Sequence, residues 1–283
     1  MTTNMNFSFT RLTAVIKRDM MENWKTNLYR LIGVYTGAAM AFLFGMYGIL
    51  SSNRGETAEE QYTSFCSTFH SILTFVTFFY LMICASRIME VMNTKNKRIS
   101  YMMLPATIGE KFISRVIYVC ITSMIIFSVG IFFAELTRLV LLPLFDVPEE
   151  FYRFCLFDII SNTSLNYNAL YDDSRHNFII VLIFLISWFL WSHSIYILGG
   201  TYFKKHPFIK TWGIMILLFV IITYILGNMV TKELFLYFEP TDKSFWINAV
   251  IISTVLLIFT VINWILSYHL FRNSQITERK LFT

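Results

Sequence analysis

Val116-Ile-Tyr-Val-Cys-Ile-Thr-Ser-Met-Ile-Ile-Phe-Ser-Val-Gly-Ile-Phe-Phe-Ala134 is a run without a single Asp, Glu, Lys or Arg. A helix needs about 20 such residues to cross a hydrocarbon layer of about 30 Å. Five other runs meet the same standard: Leu31–Leu50, Phe65–Ser86, Phe178–Gly200, Trp212–Val230 and Phe245–Phe271. Inside a bilayer every backbone N–H and C=O must be paired within the segment or a closed barrel. Barrel strands would alternate polar and apolar residues over about ten positions, and these runs do not alternate. The expected fold is therefore an all-α membrane protein with six transmembrane helices, forming a single transmembrane domain over residues 1–283.

The composition agrees. Hydrophobic residues make up 56% of the chain and charged residues only 14%, with a mean hydropathy of +0.58, whereas soluble domains are about a quarter charged. The first 30 residues carry Arg11, Lys17, Arg18, Lys25 and Arg30 with neither an uncharged apolar region nor a small-residue cleavage site, so the first span is expected to anchor the mature chain.

Charge sets the expected orientation. Of the 23 Lys and Arg, 17 lie in residues 1–30, 87–115, 201–211 and 272–283, and 13 of the 18 acids lie in the complementary loops. The positive-inside rule then puts both termini in the cytoplasm. The basic balance is explained by topology and anionic headgroups, and calls for no nucleic-acid partner.

Residues 1–30 hold a helix-period stripe, Phe9, Leu12, Val15, Ile16, Met20 and Trp24, with charges largely between. This suits an interfacial helix on the inner leaflet; a simple polar extension is the alternative. In the first span Gly33, Gly37, Ala41 and Gly45 recur every four residues, a spacing that lets helices approach closely, either within the monomer or across a dimer. Thr68, Ser71, Thr74 and Thr77 share one side of the second span, to line a mildly polar path or to bond across helices. His193 is read as a helix–helix hydrogen-bonding group. Residues 135–177 form the large extracytoplasmic loop.

Chemistry is sparse. There is no GxxxxGK[ST] motif, no paired catalytic carboxylates, no activated nucleophile and no metal-ligand spacing,. The chain is therefore expected not to be an enzyme and to hold no catalytic, cofactor or metal residue of its own. Cys66, Cys84, Cys120 and Cys155 form no CxxC pair and are read as small buried hydrophobes.

Residues 87–115 form the most polar inner connector. Within it Thr107-Ile-Gly-Glu110 fits a capping box, and Pro105 disfavours helical backbone at Leu104. A helix is expected to start near Thr107 and run into the third span.

The order of interfacial helix, two spans, Leu104-Pro105-Ala106-Thr107 with Glu110-Lys111-Phe112-Ile113-Ser114-Arg115, four spans and the tail Arg272-Asn-Ser-Gln275-Ile276-Thr277-Glu-Arg279-Lys280-Leu281 resembles permease subunits of type 2 ABC transporters of Bacteroides-like bacteria. The resemblance spans essentially the whole chain through short motifs. It implies a multi-pass protein of the cytoplasmic (inner) membrane, the permease of an ATP-driven exporter, paired with a second permease as a homodimer or heterodimer. A separate ABC ATPase subunit, carrying ATP and Mg, would dock on residues 95–115, with Pro105, Thr107, Glu110, Lys111 and Arg115 as coupling residues. The larger outer element follows the third span here, whereas lipid- and drug-moving relatives often have re-entrant structure between the fifth and sixth, so no substrate is carried over. A non-transporting membrane scaffold or immunity protein is the alternative of a different class.

Overall fold

The computed structural model describes residues 7–50, 57–144, 147–158, 175–229 and 243–274. It is about 89% helical, with no strand among the described residues. In chain order the helices are α1 (Phe9–Glu22), α2 (Trp24–Leu50), α3 (Ala58–Ser86), α4 (Lys95–Met102), α5 (Ile108–Leu141), α6 (Arg175–Tyr202), α7 (Pro207–Met229) and α8 (Lys243–Arg272). Short 3-10 turns stand at Glu90–Met92, Leu142–Leu144 and Glu149–Tyr152.

Five described segments are long and apolar enough to cross a membrane: Trp24–Gly48, Ala58–Met92, Ile108–Leu144, Ile179–Tyr202 and Trp246–Arg272. The sixth predicted run, Trp212–Val230, falls on α7, whose described apolar part, Pro207–Ile221, is shorter than these five. Residues 159–174 of the predicted outer loop and the tail residues 275–281 lie outside the described residues.

Three boundaries differ from the sequence reading. The N-terminal stripe is divided at Asn23, whose backbone N–H and side-chain Nδ2 both donate to Asp19 O, at 3.1 and 2.8 Å. Leu12 and Val15 are buried while Phe9 and Met20, and Trp24 at the start of α2, are exposed. The third predicted span does not stop at Ala134: α5 continues to Leu141, because Glu135 and Arg138 pair on the same helix, Nη2 to Oε1 2.7 Å. The connector, in which the residues themselves mark a helix start near Thr107, contains α4 as well.

The chain divides into two compact units, one of Met1–Ile16, Met82–Val119 and Asp173–Thr283, the other of Lys17–Leu81 and Cys120–Asp172. In the first, α6 packs on α8 through small hydroxyl residues at seven-residue intervals. Ser187 and Ser194 on α6, and Ser253, Thr260 and Ser267 on α8, are all buried, and each donates its hydroxyl to a carbonyl of its own helix. Satisfied in this way, the hydroxyls cost little in an apolar setting while their small size lets backbones close up. A hydrogen bond joins the pair: Asn263 Nδ2 donates to Ser194 Oγ at 3.0 Å. That position is next to His193, which is buried.

In the second unit the core is Phe42, Met46, Tyr62, Phe65, Cys66, Phe69, Ala134, Leu142, Phe151 and Cys155, with Phe42 stacked on Phe69 at 3.7 Å between ring centres. Glu135 and Arg138 are buried beside it. Arg138 bonds both carboxylate oxygens, and its Nη1 and Nη2 also donate to Phe151 O and Arg153 O, each at 2.7 Å. Glu135 Oε1 accepts further from Cys155 N at 2.8 Å. Burying two charges is tolerable only when the remaining donors and acceptors are also satisfied, and this network satisfies them.

Candidate functional site

The connector is built by two helix starts. Thr94 is extended (φ −108°, ψ 155°) and its Oγ1 accepts from Lys97 N at 3.3 Å, capping α4. At α5 the predicted capping box is formed: Glu110 N donates to Thr107 Oγ1 at 3.2 Å and Thr107 N donates to Glu110 Oε2 at 2.8 Å. Both caps pair backbone N–H groups that a helix start leaves without intrahelical partners.

Glu110 does more than cap. Its side chain is fully buried, and besides Thr107 N it accepts from Ser8 N at 2.7 Å, Arg11 Nη2 at 2.9 Å and Arg11 Nε at 3.2 Å. The hydrogen bond to Glu110 pushes the already high pKa of the Arg11 guanidinium further up. One carboxylate thereby fastens the start of α1 to the start of α5.

The next residue reaches the other way. Lys111 Nζ donates to Met102 O at 2.7 Å, placing a cation at the C-terminal end of α4, where carbonyl dipoles favour positive charge. Tyr101, buried on α4, donates to Lys111 O at 3.1 Å and lies 3.4 Å from Ser114 Oγ. Arg115 Nε donates to Ile88 O at 3.1 Å, and its guanidinium stands 5.1 Å from the Tyr118 ring centre. Phe112 meets Tyr268 and Phe271 of α8 at 5.6 and 5.4 Å.

The proposed coupling residues run from just before α5 through its first two turns, yet Glu110, Lys111 and Arg115 are buried and engaged within the chain. Pro105 is exposed and Thr107 half-buried. The outward surface of the connector belongs to residues the sequence reading did not single out: Lys95, Lys97, Met103 at 76% exposure and Ile108 at 38%. A signal for α4 was present in Thr94, a capping residue three positions before Lys97, but no apolar stripe accompanied it.

The small-residue face of α2 is also divided. A side chain added at Gly33 or Gly37 would meet nothing within 4 Å, Ala41 packs against the core, and one at Gly45 would stand 3.5 Å from Phe65. A tighter crossing lies elsewhere, at Gly130, where a Cβ would come to 2.7 Å from Val34 Cγ1. Thr68, Ser71 and Thr74 are exposed, and Ser71 and Thr77 hydroxyls donate to Ser67 O and Leu73 O of their own helix. Among the described residues no three His, Cys, Asp or Glu converge as metal ligands. Compared with known families, curated proteins and solved structures, the chain matches none.

Proposed function

We propose that the protein is the membrane-spanning permease subunit of an ATP-binding cassette exporter in a cytoplasmic membrane. A separate ATPase, with its ATP and Mg, would dock on the cytoplasmic connector, and a second permease would complete the path. The observation that supports this reading best is mechanical. Helix α4 is capped at its start by Thr94, held at its end by Lys111, and bonded through Tyr101 to the first turns of α5. A push on α4 is therefore delivered to a helix long enough to cross the membrane without an intervening flexible joint. Docking falls to the exposed Lys95, Lys97 and Met103, while Glu110, Lys111 and Arg115 hold the lever to its span. Charge complementarity then selects an ATPase surface that is acidic around an apolar pocket.

Purification of the tagged full chain from its native membrane tests the reading. A P-loop ATPase should co-purify, and Lys95→Glu with Lys97→Glu, or Met103→Asp, should remove it while leaving the thermal midpoint unchanged. If no ATPase accompanies the protein and the connector substitutions alter neither binding nor transport, the reading fails and a non-transporting scaffold becomes the better account.

A further inference from the structure

Cys66 on α3 and Cys155 after the Glu149–Tyr152 turn stand 89 residues apart in sequence, yet their sulfurs lie 2.9 Å from each other. Two thiols are rarely held so close, and a covalent S–S bond is only about 0.9 Å shorter, at about 2.0 Å. Both residues are buried, Cys155 completely. Their approach is not a chance of one rotamer, because a ladder on a single face of α3 fixes it. Glu59 accepts from Arg153 Nη1 at 2.8 Å, Tyr62 donates to Asp158 Oδ2 at 2.6 Å, and Cys66 meets Cys155. Positions 59, 62 and 66 follow the three- and four-residue steps of one helical side. The facing segment is pinned from behind by Arg138 on the carbonyls of Phe151 and Arg153 and by Glu135 on the N–H of Cys155.

The geometry points to a structural disulfide between Cys66 and Cys155, formed on the extracytoplasmic side. The side rests on the orientation proposed from charge, which sets this end of α3 opposite the basic connector. An oxidising compartment is where such bonds persist. Forming the bond removes two protons and two electrons from the two thiols. The acceptor is an oxidised dithiol protein: one thiolate attacks its disulfide, a mixed disulfide forms, the second thiolate displaces it, and the partner leaves as the dithiol. Burial of both sulfurs places this exchange before the segment closes over α3, during folding. Cys84 and Cys120 remain thiols.

Thiol counting on the full chain tests this. Cells are broken in N-ethylmaleimide under denaturing conditions, and the protein is then reduced and labelled with polyethylene glycol maleimide. Two labels are expected after reduction and none before it. Cys66→Ser or Cys155→Ser should abolish both, and the Cys84→Ser, Cys120→Ser double variant should keep both. A cross-linked peptide containing Cys66 and Cys155 should be found by mass spectrometry. No label after reduction, or labels that persist in Cys66→Ser, overturns the proposal. A reporter fused at the C-terminus, scored in the same cells, shows whether the proposed orientation fell with it or stands.

Discussion

Arg11 and Glu110 stand 99 residues apart and meet as a two-pronged pair, Nε 3.2 Å from one carboxylate oxygen and Nη2 2.9 Å from the other. The same carboxylate caps α5 through Thr107 N. One acidic side chain therefore holds the start of α1 and starts the long helix that follows the connector. Under the proposed function, a residue so engaged would serve the partner by keeping the lever intact, which separates its expected behaviour from that of an exposed docking residue.

Thr107→Ala removes one side of the capping box and should cost about 0.5–2 kcal/mol. Glu110→Ala removes the other side and the Arg11 pair, and should lower the thermal midpoint in detergent more than Thr107→Ala does. Arg11→Ala keeps the cap but leaves the buried Glu110 carboxylate without its cation, so it too should lower the midpoint. Equal midpoints for Glu110→Ala and wild type would contradict the contact.

Lys111→Met keeps much of the stem but withdraws the cation from Met102 O. A cation at a partly buried helix C-terminus is worth up to about 2 kcal/mol. Hydrogen exchange should quicken over Lys95–Met102 and stay slow in the middle of α5. Under the proposed permease function, Lys111→Met should also weaken the coupling of ATP hydrolysis to transport even where the ATPase still binds. Unchanged exchange in α4 would show that Lys111 does not hold its end.

What was legible in the chain was what is local. Five of the six uncharged runs fall on segments long and apolar enough to cross a membrane, because length and apolarity are local properties, and the Thr107–Glu110 box is readable because its partners sit three residues apart. Ser8 and Arg11, the other ligands of Glu110, are 102 and 99 residues away and left no local trace. The bounds of α4 are not marked by an apolar stripe, which Lys95-Asn-Lys-Arg lacks, and the helix gains its stability from Tyr101 and Lys111. The end of α5 was misplaced because a hydropathy count treats Glu135 as a stop, although the Glu135–Arg138 spacing signals a pair along one helix. Gly33–Gly45 showed the right period, but tertiary packing alone determines which of those glycines has a neighbour.

Glu135 and Arg138 should behave as a unit. Removing one partner of a buried pair leaves an uncompensated charge and costs about 3–5 kcal/mol, so Glu135→Ala and Arg138→Ala should each approach that loss. The paired replacement Glu135→Gln, Arg138→Met should cost less than the sum of its single changes, and a double-mutant cycle in detergent measures the difference. Additive losses would mean that the two side chains do not interact in the folded protein.

Glycine substitutions separate packing within the chain from packing between chains. A Cβ at Gly200 would collide with the backbone oxygen of Ser86, and one at Gly199 with the Thr211 side chain. Backbone cannot swing aside as a flexible side chain can, so Gly200→Ala should be the more damaging and should lower the thermal midpoint of the isolated chain. Gly37 meets nothing within 4 Å, and replacing a helical glycine by alanine gains up to about 1 kcal/mol of propensity. Gly37→Ala should therefore leave the monomer as stable or more so. Where α2 forms the contact with a second permease, Gly37→Ile should shift the assembly toward monomer, read as mass in detergent by light scattering. An unchanged assembly with Gly37→Ile, set against a destabilised Gly200→Ala monomer, would assign the open face of α2 to lipid.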